Sequence, residues 1–107
     1  MLVESKSCKM IIKEVLKQLE DAKGPVVKVL HQGGDFKVLV LGFKKGMVLK
    51  EHKTTVSTRI VIADGRVIYK EAERTFTLSK MDDSEIPVNV LHSVEALEDS
   101  ICFLIQG

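Results

Sequence analysis

From Pro25 onward every apolar run is short, and turn residues interrupt the pattern at intervals of about ten residues, with no helical period between them. Val26 to Gln32, Asp35 to Phe43, Val48 to Thr54, Ser57 to Ala63, Arg66 to Glu71, Arg74 to Ser79 and Ser100 to Gln106 read as strands. Gly33-Gly34, Lys44-Lys45-Gly46 and Leu97-Glu98-Asp99 read as the turns between them, Met81 to Glu85 as a polar turn, and Pro87 as the start of a segment carrying His92. Asp64-Gly65 is a dipeptide that tolerates positive φ at both central positions, which predicts a tight hairpin between the strands that flank it. Strands that follow one another without helices pair antiparallel, in a sandwich or a barrel. Val38-Leu39-Val40-Leu41 is apolar on both faces, as in a strand covered from two sides.

Ahead of this region the period is different. Ile11, Ile12, Val15, Leu16, Leu19 and Ala22 recur at three- and four-residue steps, which predicts an amphipathic helix from Cys8 to Lys23. Ser7 is placed to cap its start, Gly24 to take a left-handed position at its end, and Pro25 to stop it. The chain is therefore expected to be one domain, a helical arm over residues 1–24 and a β-barrel over residues 25–107. The apolar stripe needs a cover, either the outside of the barrel or a second subunit.

Composition removes several classes of partner. With 16 basic and 15 acidic residues interspersed along 107, no single-sign field is available for a nucleic acid or an anionic membrane. No segment approaches the roughly 18 apolar residues of a membrane span, and the first residues lack the apolar run of a secretory leader, so a cytoplasmic location is expected. Cys8 and Cys102 have no metal-binding or disulfide spacing, and Cys102, within Ile-Cys-Phe-Leu-Ile, reads as a small buried hydrophobe.

The stretch Gly46 to Gly65, GMVLKEHKTTVSTRIVIADG, places His52 six residues after Gly46, then Thr54, Thr58 and Gly65; Pro87 follows, with His92 five residues beyond it. This skeleton resembles the two sequence blocks of the cupin family, over roughly Val26 to Gln106. In metal-binding cupins the first block reads glycine, five residues, His, one residue, His, three or four residues, Glu, six residues, glycine. The second carries a proline and, five residues later, a third His. On this chain the histidines fall on His52, Thr54 and His92 and the Glu on Thr58, so two of four ligand positions are changed. The resemblance implies an all-β, RmlC-like double-stranded β-helix, or jelly-roll barrel, with one N-terminal amphipathic α-helix, and, from the family's habit of pairing barrels, a homodimer.

Side chains alternate across a strand, so His52 and Thr54 are expected on one face, Thr58 and Ile60 on one face of the next strand, and Val90 and His92 on one face of a later one. In the cupin register these six residues line a pocket inside the barrel. Glu51 and Lys53 point the other way, and His31 lies on a strand where the family places no ligand. His52 and His92 alone make an incomplete metal site, because a catalytic ion usually takes three protein ligands, so no tightly bound cofactor is expected and at most a weakly held divalent ion. Metal-independent sugar epimerases similar to cupins work through a histidine with a charged partner and a tyrosine. Here Tyr69 is expected on the outer part of the hairpin, with no acid facing inward. The lysines Lys44, Lys45, Lys50 and Lys53 read as a solvated turn. The leading functional expectation is a small molecule bound in the barrel. The alternatives are a metal-dependent oxygenase or isomerase using His52 and His92 with a ligand completed by substrate or water, and a structural homodimer without ligand.

Overall fold

A computed structural model describes residues 7–107 of the chain, so that residues 1–6 of the expected helical arm lie outside the described residues. Helix α1 spans Cys8–Leu19. Among the described residues nine strands follow: β1 (Val26–Gly33), β2 (Phe36–Phe43), β3 (Val48–His52), β4 (Thr58–Asp64), β5 (Arg66–Glu71), β6 (Thr75–Ser79), β7 (Asp83–Ile86), β8 (His92–Ala96) and β9 (Ser100–Gln106). They form two antiparallel sheets, one ordered β1-β2-β9-β4-β7 and the other β3-β8-β5-β6. The inward faces carry Leu41, Phe43, Ile60, Ile62, Val67, Tyr69, Val94 and Cys102, all but fully buried, and these pack into one core between the sheets. Among the described residues no helix is long and apolar enough to cross a membrane.

The helix begins as expected, with the Met10 amide donating to Ser7 Oγ at 3.2 Å, but it ends at Leu19. The Glu20 and Ala22 amides donate three residues back, to Lys17 and Leu19, so the chain leaves the helix through tightened turns and Gly24 is not left-handed. Ile11, Val15 and Leu19 are buried against Val40 and Ile101 on the outside of the barrel. Each such side chain contributes about 1.5–3 kcal/mol. A methyl group at Gly42 would lie 3.0 Å from Leu19 Cδ1 and closer still to Val15 Cγ1, so glycine is what lets the helix lie this near to β2. The helix is therefore the second cover that the two-sided apolar run of β2 required. Leu16 stays outside this contact and is exposed.

Three expectations about strands are corrected. Asp64-Gly65 joins no hairpin: β4 pairs with β9 and β7, whereas β5 pairs with β8 and β6, so the dipeptide carries the chain from one sheet to the other. Only Gly65 takes positive φ there, at 87°. The segment read as a polar turn, Met81 to Glu85, runs into β7, whose Asp83, Ser84 and Glu85 pair along β4 at a sheet edge, where polar side chains are tolerated, with Ile86 just beyond as the inward anchor. Finally, β3 stops at His52 and β8 starts at His92, which leaves Thr54 and Val90 on loops and not on the strand faces assigned to them.

Candidate functional site

The site starts from an irregularity in β3. Leu49 pairs with Val94 and His52 with His92, so Lys50 and Glu51 on one strand stand against Ser93 alone on the other, and β3 carries an extra residue between the two pairs. Without this bulge, strict alternation from the inward Leu49 would turn Glu51 inward and His52 outward. With it, Leu49 reaches the core, His52 follows on the inner side, and Glu51 is exposed. His52 thus meets His92 directly across the ladder, with ring centroids 4.3 Å apart.

Each imidazole is tied by a backbone carbonyl two residues before it. His52 Nδ1 lies 2.7 Å from the Lys50 oxygen and His92 Nδ1 3.1 Å from the Val90 oxygen. A carbonyl only accepts, so Nδ1 carries the proton in both rings and Nε2 is left as the nitrogen for a ligand. Val90 therefore serves the site through its backbone. His92 is 2% exposed, and its pKa lies below the ordinary imidazole value, chiefly because burial penalises the charged ring and also because His52 stands beside it.

Behind His92 lies a group of residues placed otherwise than expected. Tyr69 is fully buried and stacks on the His92 ring at a centroid distance of 5.9 Å, and Glu71 sits opposite His92 in the β5–β8 ladder. The Glu71 side chain is only 6% exposed. It accepts the Tyr69 hydroxyl and a two-pronged contact from Arg74, Nε to Oε1 at 2.9 Å and Nη2 to Oε2 at 2.8 Å. Arg74 holds the Glu71 carboxyl below its usual range, while burial and then Glu71 push the Tyr69 phenol well above its own. The placement of Tyr69 outside, and of every acid outside, is thus corrected. Once β5 is separated from β4, its own alternation, Val67-Tyr69-Glu71 against Arg66-Ile68-Lys70, gives the inward face correctly.

On the other side, His52 and Thr54 line an open cleft of ≈ 440 Å³ walled by Leu39, Leu41, Leu49 and Leu104. The Asn89 amide holds the Thr54 carbonyl at 2.8 Å, and the Thr54 hydroxyl is buried without a hydrogen-bond partner. Thr58 and Ile60 are buried on the facing sheet, where Thr58 donates its hydroxyl to the Val56 carbonyl at 3.1 Å. The structure thus brings His52, Thr54 and His92 together at the end of β3, and Thr58 and Ile60 form part of the core across from them. As metal donors His52 and His92 make two. Among the described residues no group of three or more His, Cys, Asp or Glu side chains is placed to hold an ion, and both Glu71 oxygens are engaged by Tyr69 and Arg74. The residues present do not fit a complete metal centre of the kind the cupin pattern implies.

No family model and no curated protein matches the sequence. Solved structures do match the two-sheet architecture. A cupin superfamily protein from Desulfitobacterium hafniense superposes with a TM-score of 0.73 at 13% identity, covering 97% of this chain and 82% of its own. The chain has the cupin fold. Two further cupin-fold neighbours widen the comparison. KdgF from Halomonas sp. aligns with a TM-score of 0.72 at 19% identity over 80% of this chain and 82% of its own. A salicylate 1,2-dioxygenase variant from Pseudoaminobacter salicylatoxidans aligns at 0.83 and 19% identity over 94% of this chain, which spans 34% of that longer one. At these identities the cupin barrel is what is shared.

Proposed function

We propose that this cupin binds a small molecule in the cleft beside His52, with an apolar body against Leu39, Leu49 and Leu104 and a polar group at His52. The observation that carries the reading is the cleft itself, in which one half-buried imidazole, His52, stands beside an apolar leucine wall, the pairing of an orienting polar group with an apolar lining that small-molecule sites use. The two-histidine donor set supports binding without a resident metal. A fragment screen read by amide chemical shifts tests this. Hits that perturb Leu49, His52, Thr54 and Leu104 are expected, and a screen whose hits all fall elsewhere sinks the reading.

A second reading concerns partners. Strand β1 is the longest of the four edge strands, eight residues against five, five and four, and Val27 and Val29 on it are about half exposed. Long apolar edges are usually paired or covered, so we propose a homodimer formed through β1.

A further inference from the structure

Strand β1 is an edge of a different kind from the other three. At β3, β6 and β7 the inward side chains Leu49, Leu78 and Ile86 pack into or against the core. On β1, Val27 stands opposite Leu41 and Val29 opposite Leu39, so both valines lie on the inner face of their sheet. They are nonetheless about half exposed. The outer face of the same strand is the covered one, because Val26 and Leu30 pack against the cluster under α1. Five strands face four, which leaves the inner side of β1 without a strand opposite it. The cleft beside His52 opens along this uncovered side, and Val27 is part of its lining.

A second copy fits this edge and extends the lining. Two identical edges that pair antiparallel are related by a twofold axis perpendicular to the sheet, which keeps both inner faces on the same side. Strands so paired lie about 4.7–4.9 Å apart, so the valines of the second copy continue the apolar row that Leu41 and Val27 begin. Charge agrees with self-pairing. The charged residue of β1, Lys28, lies on the outer face, 3.6 Å from Glu14 of α1. An acid and a base on one face complement their own copies across a twofold axis, whereas β7 would set Asp83 and Glu85 against theirs. Resting on both readings above, we infer that the cleft is shared between two copies: a dimer through β1 supplies its open wall with the second copy's valines, and a ligand there touches both chains.

The consequence is linkage, since a small molecule that touches both chains strengthens the dimer and the dimer strengthens its binding by the same factor. Cyclohexanol, an apolar ring with one hydroxyl, serves as the probe. It is titrated into the full chain and followed by the amide shifts of Leu49, His52 and Leu104 and by sedimentation equilibrium. Binding to the dimer is expected to be about threefold tighter than to the monomer, the gain that a further ~30 Å² of apolar contact gives. With one such site on each chain, saturation then lowers the dimer dissociation constant about tenfold. Val29→Lys charges the edge without altering the chain's own cleft lining, and is expected to give monomers that bind cyclohexanol about threefold more weakly than the parent dimer. A dimer constant unmoved by saturating cyclohexanol overturns the shared site and leaves both the cleft and the dimer standing. A probe that shifts none of these resonances removes the cleft itself, and a parent that sediments as one chain at every concentration, with or without the probe, removes the dimer; either result takes the shared site with it.

Discussion

His92 lies between two unlike neighbours, its ring stacked on the buried Tyr69 on one side and 4.3 Å from the half-buried His52 on the other. Burial lowers its folded-state pKa from the ordinary value of 6.5, so the unfolded chain takes up this proton first as pH falls. Stability contributed by the neutral ring is then complete above about pH 6.5 and drains away as pH drops from there towards the folded-state pKa. Glu71, depressed by Arg74, adds a loss in the same direction at lower pH, below its ordinary value of 4.5. Urea midpoints measured from pH 7.5 to 5.5 are expected to fall in the parent. They should fall less in His92→Asn, which keeps a donor near the Val90 carbonyl and cannot titrate. Equal slopes in the two proteins would show that His92 does not govern this window.

Among the described residues the acceptor for the buried Tyr69 hydroxyl is the Glu71 carboxylate. Glu71→Ala is expected to cost about 2–3 kcal/mol, because it leaves the phenol unsatisfied and removes charge-assisted bonds to Arg74. Tyr69→Phe in that background should recover part of the loss, since the orphaned hydroxyl goes with it. A double variant less stable than Glu71→Ala alone would mean that Tyr69 matters through other contacts.

The alternation of short runs was enough to read antiparallel strands in a sandwich or barrel, and the resemblance to the cupin blocks was what narrowed this to a jelly roll and set His52 and His92 on inward faces. What escaped was long-range pairing. Asp64-Gly65 has the composition of a hairpin turn, yet β4 finds better partners in β9 and β7, and nothing local to the dipeptide states that preference. That single misassignment placed Tyr69 outside and hid Glu71. The bulge in β3 has no residue signature of its own, and it is the bulge that lets both Leu49 and His52 face inward. Strand β7 was missed because an edge strand of Asp, Ser and Glu carries no apolar alternation.

Gly65 gives the crossing between sheets its own test. Its φ of 87° disfavours any side chain, and a Cβ there would sit 2.8 Å from Ser100 Cα and closer to the Asp99 carbonyl. Gly65→Val is therefore expected to destabilise by about 3 kcal/mol, combining backbone strain with overpacking. Its denaturation midpoint should fall accordingly, and a midpoint equal to the parent's would contradict the crossing geometry.

Pairing through β1 predicts a mass of two chains by sedimentation at micromolar concentration. Val27→Lys with Val29→Lys charges the exposed apolar positions of this edge and is expected to yield monomers that keep the parent's circular dichroism. A parent that sediments as one chain removes the dimer, and a double variant still paired moves the interface away from β1.

Restoring the cupin ligands tests how near the site stands to a metal centre. Thr54 lies in the cleft wall beside His52, so Thr54→His adds a third imidazole where a buried hydroxyl has no partner. Thr58 is 2% exposed on the facing sheet, so Thr58→Glu buries a carboxylate, which costs several kcal/mol unless a cation or a proton meets it. The double variant is thus expected to melt well below the parent without metal, and Zn²⁺ is expected to recover much of the loss, because four converging donors hold an ion that two do not. Calorimetric titration should show weak binding by the parent and binding at least a hundredfold tighter by the double variant, falling again when His92→Ala is added. A parent that already binds Zn²⁺ tightly, and loses it in His52→Ala, would mean that a further residue completes the site and that metal chemistry belongs to this barrel.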